Sequence, residues 1–184
     1  MSTQSQFDPE RQFDPERTWQ PLEARIKVEE DPRCRQLLEQ VRDHMRTEIR
    51  GEFNGLMATL VDDPQYHLWG IGAEVGPKGR DAVATFYTDM IAMGGNHFEF
   101  EIRRIVVDHD AVVTEGVMRT VMSGGAVLAS GVAEVAGVPV DADARYVSEN
   151  QILTVWPAAD DGRIKGEDIY FGSPPLSSLE LLVE

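Results

Sequence analysis

The sequence predicts an α+β fold, a cone-shaped curved antiparallel sheet wrapped around N-terminal helices with a cavity between the layers. Two observations carry this. Apolar residues recur at helical spacing as far as Gly94, and from His97 onward the period becomes two. The strand-like stretches then follow one another through short turns, the pattern of a meander.

The elements run in order. QFDPER occurs twice in tandem, at 6–11 and 12–17. Six polar, Pro-interrupted residues are too few for a structural repeat, so residues 1–20 are expected to form a flexible arm and 21–184 a single domain. Asp31 followed by Pro32 is a helix start, an N-cap before proline at the first helical position. Leu37, Leu38, Val41, Met45 and Ile49 continue it to a break at Gly51. Phe53 to Val61 carry a second, short helix, stopped by Asp62-Asp63-Pro64. After Tyr66-His67-Leu68-Trp69 and a glycine-rich loop, Arg80 to Met93 form a third helix ended by Gly94-Gly95. Strands are expected at 97–107, 111–122, 146–157 and 163–172. Residues 123–144, small and apolar, read as an insertion with little regular structure.

The bulk numbers exclude several functions. A net charge of −15, from 32 acidic and 17 basic residues, argues against nucleic acid and anionic membrane surfaces. No apolar run approaches the ~18 residues of a membrane helix. The first twenty residues lack the apolar core of a signal peptide, and the single cysteine, Cys34, allows no internal disulfide. A cytoplasmic location is expected. There is no CxxC or HExxH, and the four histidines are scattered, so neither metal nor cofactor is expected.

A helix ending in DDP, a glycine followed by RDAVATFY, and a late DGRI turn leading to IYFG together resemble the nuclear-transport-factor-2-like superfamily. This superfamily includes ketosteroid isomerases, scytalone dehydratase, limonene-epoxide hydrolase and the SnoaL-like polyketide cyclases. The resemblance spans roughly residues 33–175 and is weak for function, because the fold hosts many chemistries. It implies a base position at Leu68, or at His67 after a one-residue slip. It implies an oxyanion-stabilising position near His44 and a second, counted back from DGRI, at Glu149. Ketosteroid isomerase keeps a carboxylic acid neutral in an apolar site so that it can donate a hydrogen bond, and Glu149 is the residue expected to do so here. The resemblance also implies a homodimer paired through the sheet.

In that register Thr114, Gly116 and Met118 face the cavity, with Glu149, Gln151, Leu153 and Val155 of the next strand. Ile152, Thr154 and Trp156 then face the partner, and Glu167, Ile169 and Phe171 face in. The expected catalytic set is His67, Glu149 and His44. The expected substrate contacts are Glu167, Met118, Thr114, Phe171, Tyr87 and Trp69. Each has a plainer reading: His44 as the i,i+4 neighbour of Glu48, His67 as a structural histidine, the aromatic residues as core. The function expected is cofactor-independent acid/base isomerisation, dehydration or cyclisation of a hydrophobic, steroid- or polyketide-like small molecule. The alternative is a non-catalytic binding module of the same fold. Epoxide hydrolysis ranks last, because the resemblance implies an inward arginine there and Arg119 should face away.

Overall fold

A computed structural model describes residues 13–71 and 75–182. The helices are α1 (Gln20–Ile26), α2 (Pro32–Ile49), α3 (Phe53–Ala58), α4 (Arg80–Ala92) and α5 (Gly124–Ala129). The strands are β1 (His67–Trp69), β2 (Phe98–Val107), β3 (Ala111–Ser123), β4 (Glu134–Val135), β5 (Val138–Pro139), β6 (Arg145–Pro157), β7 (Asp168–Phe171) and β8 (Glu180–Leu181). The main sheet runs β1-β7-β6-β3-β2, with β8 also on β6. It is the expected α+β cone, curved and unclosed.

Local chemistry sets the elements. Asp31 caps α2, its carboxylate accepting from the Arg33 and Cys34 amides at 2.8 and 2.9 Å. Leu37, Leu38, Val41, His44 and Met45 are buried on one face of α2 and pack it into the sheet. In β2 the inward residues change parity: Phe98, Phe100 and Ile102 pack inward, then Ile105 and Val107. Between them the pairing with β3 skips from Ile102↔Gly116 to Arg104↔Glu115, a bulge that leaves Arg103 extra. Bulges bend strands and increase twist, and this one helps the sheet curl around the helices.

Three expectations need correction. Residues 1–12 of the expected arm lie outside the described residues, but 13–20 are packed. Thr18 and Trp19 are buried, the Thr18 hydroxyl accepts the Phe100 amide at 2.9 Å, and Glu99 accepts the Asp14 amide at 2.9 Å. This segment satisfies the edge of β2, which has no strand on its far side among the described residues. The 123–144 insertion is regular rather than loop-like: it holds α5 and the β4–β5 hairpin, with its own small core of Val127, Val135, Val140 and Tyr146. Finally, β6 is one residue out of the expected register. Its partners are Thr114↔Thr154 and Arg119↔Glu149, so Ile152, Thr154 and Trp156 share the cavity face with Thr114, Gly116 and Met118. Glu149, Gln151, Leu153 and Val155 lie on the outer face. The Trp156 indole N–H donating to the Thr114 hydroxyl at 3.0 Å fixes this register.

Among the described residues no helix is long and apolar enough to cross a membrane.

Candidate active site

Between the helices and the concave sheet face lies a cavity of about 170 Å³. Its wall is mostly apolar, with Phe86, Phe98, Phe100, Met118 and Phe171 among the lining side chains. Its polar groups are few: Glu48, Tyr66, Tyr87 and Glu167, with two threonines. An apolar cavity with a few convergent polar groups is the usual form of a small-molecule site.

Each polar group arrives from a different element. Glu48 sits in the last turn of α2, two turns beyond Val41 and four residues after His44, so it lies on the side that packs inward. Tyr66 precedes β1, Tyr87 lies on α4, and Glu167 precedes β7. The His67 amide donates to the Glu167 carbonyl at 2.7 Å, which holds the Tyr66 and Glu167 segments side by side.

The groups form one hydrogen-bonded cluster. The Tyr66 and Tyr87 hydroxyls are 2.8 Å apart, and Tyr87 donates to Glu167 Oε1 at 2.8 Å. His44 Nε2 lies 3.2 Å from the same oxygen and 3.0 Å from the Tyr87 hydroxyl. Its Nδ1 lies 2.7 Å from the Thr59 hydroxyl, which itself donates to the Leu56 carbonyl at 2.6 Å. The Thr59 proton is thereby committed, so Nδ1 carries the hydrogen and donates. Nε2 is left facing Glu167 and the Tyr87 hydroxyl.

Glu48 completes the cluster. Its carboxylate, that of Glu167 and His44 Nε2 all lie within 4.8 Å of one another. Burial, and then the charge of Glu167, pushes the Glu48 carboxyl well above the ordinary glutamate range. Burial, and then the same charge, raises both tyrosines, which therefore remain phenols and donors. The cluster thus places a carboxylic acid beside a second carboxyl in a mostly apolar wall. That is the arrangement that supplies a proton donor and a proton acceptor at one pH. The three groups are also a donor set that a divalent ion could use, as are half-buried Asp31, buried Cys34 and exposed His109.

The expected residues divide. Glu167, Met118, Phe171 and Tyr87 line the cavity. Thr114 is fully buried on the same face and holds Trp156. His44 is buried one layer behind the wall, so it positions Glu167 and Tyr87 and is not itself a wall residue. His67 is not in the cavity. β1 alternates, so Leu68 points in and His67 and Trp69 point out. His67 stacks on Trp69 with ring centres 6.0 Å apart, and Lys78 Nζ lies 3.0 Å from its Nδ1. Trp69 is 40% exposed, stacks on Tyr170 and does not line this cavity.

Glu149 is the other correction. It lies on the outer face and accepts from Arg119 Nε at 3.1 Å, with Glu101 3.8 Å from the same guanidinium. Arg119 faces away from the cavity, as expected, and is itself buried. Glu149→Gln therefore lowers stability by about 1–3 kcal/mol, by weakening the partner of a buried cation. It leaves any cavity chemistry intact, and chemical denaturation beside an activity assay reads both. Sequence reasoning missed Glu48 and Tyr66. Glu48 was legible as the i+4 and i+7 continuation of the apolar face through Val41 and His44. Tyr66 had no signal beyond preceding a strand.

The family model of the SnoaL-like domain matches residues 41–165. Solved structures share the fold at low identity. A Mycobacterium tuberculosis protein described as an LEH-like epoxide hydrolase is 22% identical, with a TM-score of 0.53 over 76% of this chain and 85% of its own. A putative polyketide cyclase from Xanthomonas campestris pv. campestris is 21% identical, with a TM-score of 0.51 over 76% and 93%. The epoxide hydrolase/cyclase-like enzyme SalBIII, of pyran ring formation in the polyether salinomycin, is 10% identical, with a TM-score of 0.52 over 79% and 95%. No curated protein matches the chain.

Proposed function

The chain belongs to the SnoaL-like domain family, and from that premise we propose that it is a cofactor-independent acid/base enzyme acting on a hydrophobic small molecule. The observation that carries this is the close Glu48–Glu167 pair, with Glu167 buried and Glu48 half-buried, at the polar end of an apolar cavity. Glu48, held protonated, donates to a substrate oxygen. Glu167, its partner carboxylate, takes a proton from carbon or from a hydroxyl. In an isomerisation Glu167 removes the proton next to a carbonyl, Glu48 hydrogen-bonds the enolate oxygen, and the proton returns at a second carbon. In a dehydration the same removal is coupled to protonation of the departing hydroxyl by Glu48. In a cyclisation Glu167 deprotonates the attacking hydroxyl and Glu48 protonates the oxygen that opens. The Tyr66–Tyr87–Glu167 chain and His44 hold Glu167 in place throughout.

The test is exchange of protons next to a carbonyl in deuterated water, followed by NMR on a panel of enones and β-hydroxy ketones. Wild type exchanges above background. Glu48→Gln and Glu167→Gln fall by ~10²-fold or more, the usual size of a general acid or base contribution. Binding of the panel without exchange in any variant leaves the binding-module reading in its place.

The same reading puts a second copy of the chain on the outer sheet face. Trp69 and Tyr170 are 40% and 45% exposed there, a combination that favours an interface. Sedimentation equilibrium is expected to give a dimer, and a monomer at every concentration removes this part.

A further inference from the structure

We infer that the substrate is elongated, with its reacting end at Glu48 and Glu167 and an apolar chain that leaves the cavity past Gly95 and Thr120 into a second pocket walled by α5. This rests on the acid/base reading for which end reacts. The length and the route rest on the shape of the protein.

The cavity between helices and sheet, at about 170 Å³, is below the ~300 Å³ at which sites for whole drug-sized ligands begin. It suits a compact group. Beside it lies a pocket of about 770 Å³, whose apolar lining includes Met93, Met122, Ala126 and Ala129. Gly95 and Thr120 line both spaces, so the two adjoin there. Gly95 contributes no side chain to the junction.

The long axis follows β3. Met118 and Thr120 line the cavity from one face of β3, and Met122, next on that face, is in the second pocket. From Met118 to Met122 is roughly 13 Å at the rise of a β-strand, a run that an extended chain can follow from one space into the other.

The far wall is built, not draped. Ser123 caps α5 through the Ala126 amide at 3.2 Å, and the Gly124 amide donates to the Ala144 carbonyl at 2.8 Å. A Cβ on Gly124 would meet the Asp141 carbonyl oxygen at 1.8 Å, so the backbones lie in direct contact. Val127 anchors the helix in the small core of the insertion. This leaves Ala126 and Ala129, two short side chains, turned to the pocket. At its rim Met93 is 74% exposed, a large apolar side chain left in water until a chain covers it.

The experiment is calorimetric binding of a homologous series of saturated methyl ketones, 2-hexanone to 2-dodecanone, to the full chain. A neutral carbonyl suits the proton-donating end. In wild type, affinity rises about threefold per methylene through the whole series, close to the limit for complete burial of each CH₂. Ala129→Trp fills the second pocket from an exposed position; it leaves 2-hexanone binding unchanged and weakens 2-dodecanone at least tenfold. Met93→Asp, also at an exposed position, lowers the affinity for the long ketones only. An affinity that levels off at 2-hexanone in wild type overturns the inference. So do equal effects of Ala129→Trp on short and long ketones, and an absence of binding across the series. Binding is read here without turnover. A rising series with no proton exchange defeats the acid/base reading alone, and exchange with a flat series defeats the elongated substrate alone.

Discussion

Glu48→Gln stops turnover and, above neutral pH, makes the protein more stable than wild type. Both effects have one cause. Burial and the neighbouring Glu167 charge hold the Glu48 proton in the folded state to a higher pH than in the unfolded chain. The stability tied to that proton is complete below the ordinary glutamate pKa, and it is lost as pH rises through the raised folded value. Over that window wild type loses about 1.4 kcal/mol per pH unit, and the neutral amide loses none of it. Urea melts at pH 4, 6 and 8 therefore show the variant's advantage growing with pH. The amide cannot donate an acidic proton, so turnover falls by ~10²-fold or more. A variant that is destabilised equally at all three pH values would mean that Glu48 is ionised in the fold and is no acid.

Gly116→Ala unfolds the protein or costs about 3 kcal/mol, at the upper end for a single methyl. A Cβ there would meet the Glu101 carbonyl oxygen at 2.0 Å and the Ile102 Cα at 3.0 Å. Both are backbone, so no side-chain rotation relieves the clash. The contact lies at the bulge of β2, where the pairing skips a residue. Relieving it means undoing the bulge, which returns Ile105 and Val107 to the wrong face. Circular dichroism and urea melts read the loss. A variant within ~0.5 kcal/mol of wild type would show that the sheet accommodates a side chain at this approach.

Much of the fold was legible, and the reason lies in the chain's periodicities. The change of period at residue 97 is physical, because a cone needs helices inside and strands outside. The DDP stop, the α2 start at Asp31 and the inward faces of β3 and β7 all follow from capping and alternation. The register of β6 did not. Both of its faces carry apolar residues, Ile152 and Trp156 on one and Leu153 and Val155 on the other, so alternation alone could not choose. Counting back from DGRI put Glu149 inside; cross-strand pairing with Arg119 puts it outside. For the same reason His67 looked like a base, although the inward position in β1 belongs to Leu68. The Glu48–Glu167 pair was hidden more deeply. Its members lie far apart along the chain, and only tertiary contact brings them together. The small helix and hairpin of 124–139 were illegible because short glycine- and alanine-rich elements draw their stability from packing rather than propensity.

The pairing of β1 with β7 is parallel and joins residue 67 to residue 168. Closing so long a loop is entropically expensive and is repaid only once both segments are in place. The cavity floor therefore waits for a segment that leaves the ribosome long after the helices. Until β7 docks, Glu167 is absent from beside Glu48, and the charge that adds to burial in raising the Glu48 carboxyl is missing. A nascent chain that stops short of residue 160 lacks Glu167 altogether. The two-carboxyl cluster is therefore assembled only when the last part of the main sheet is in place.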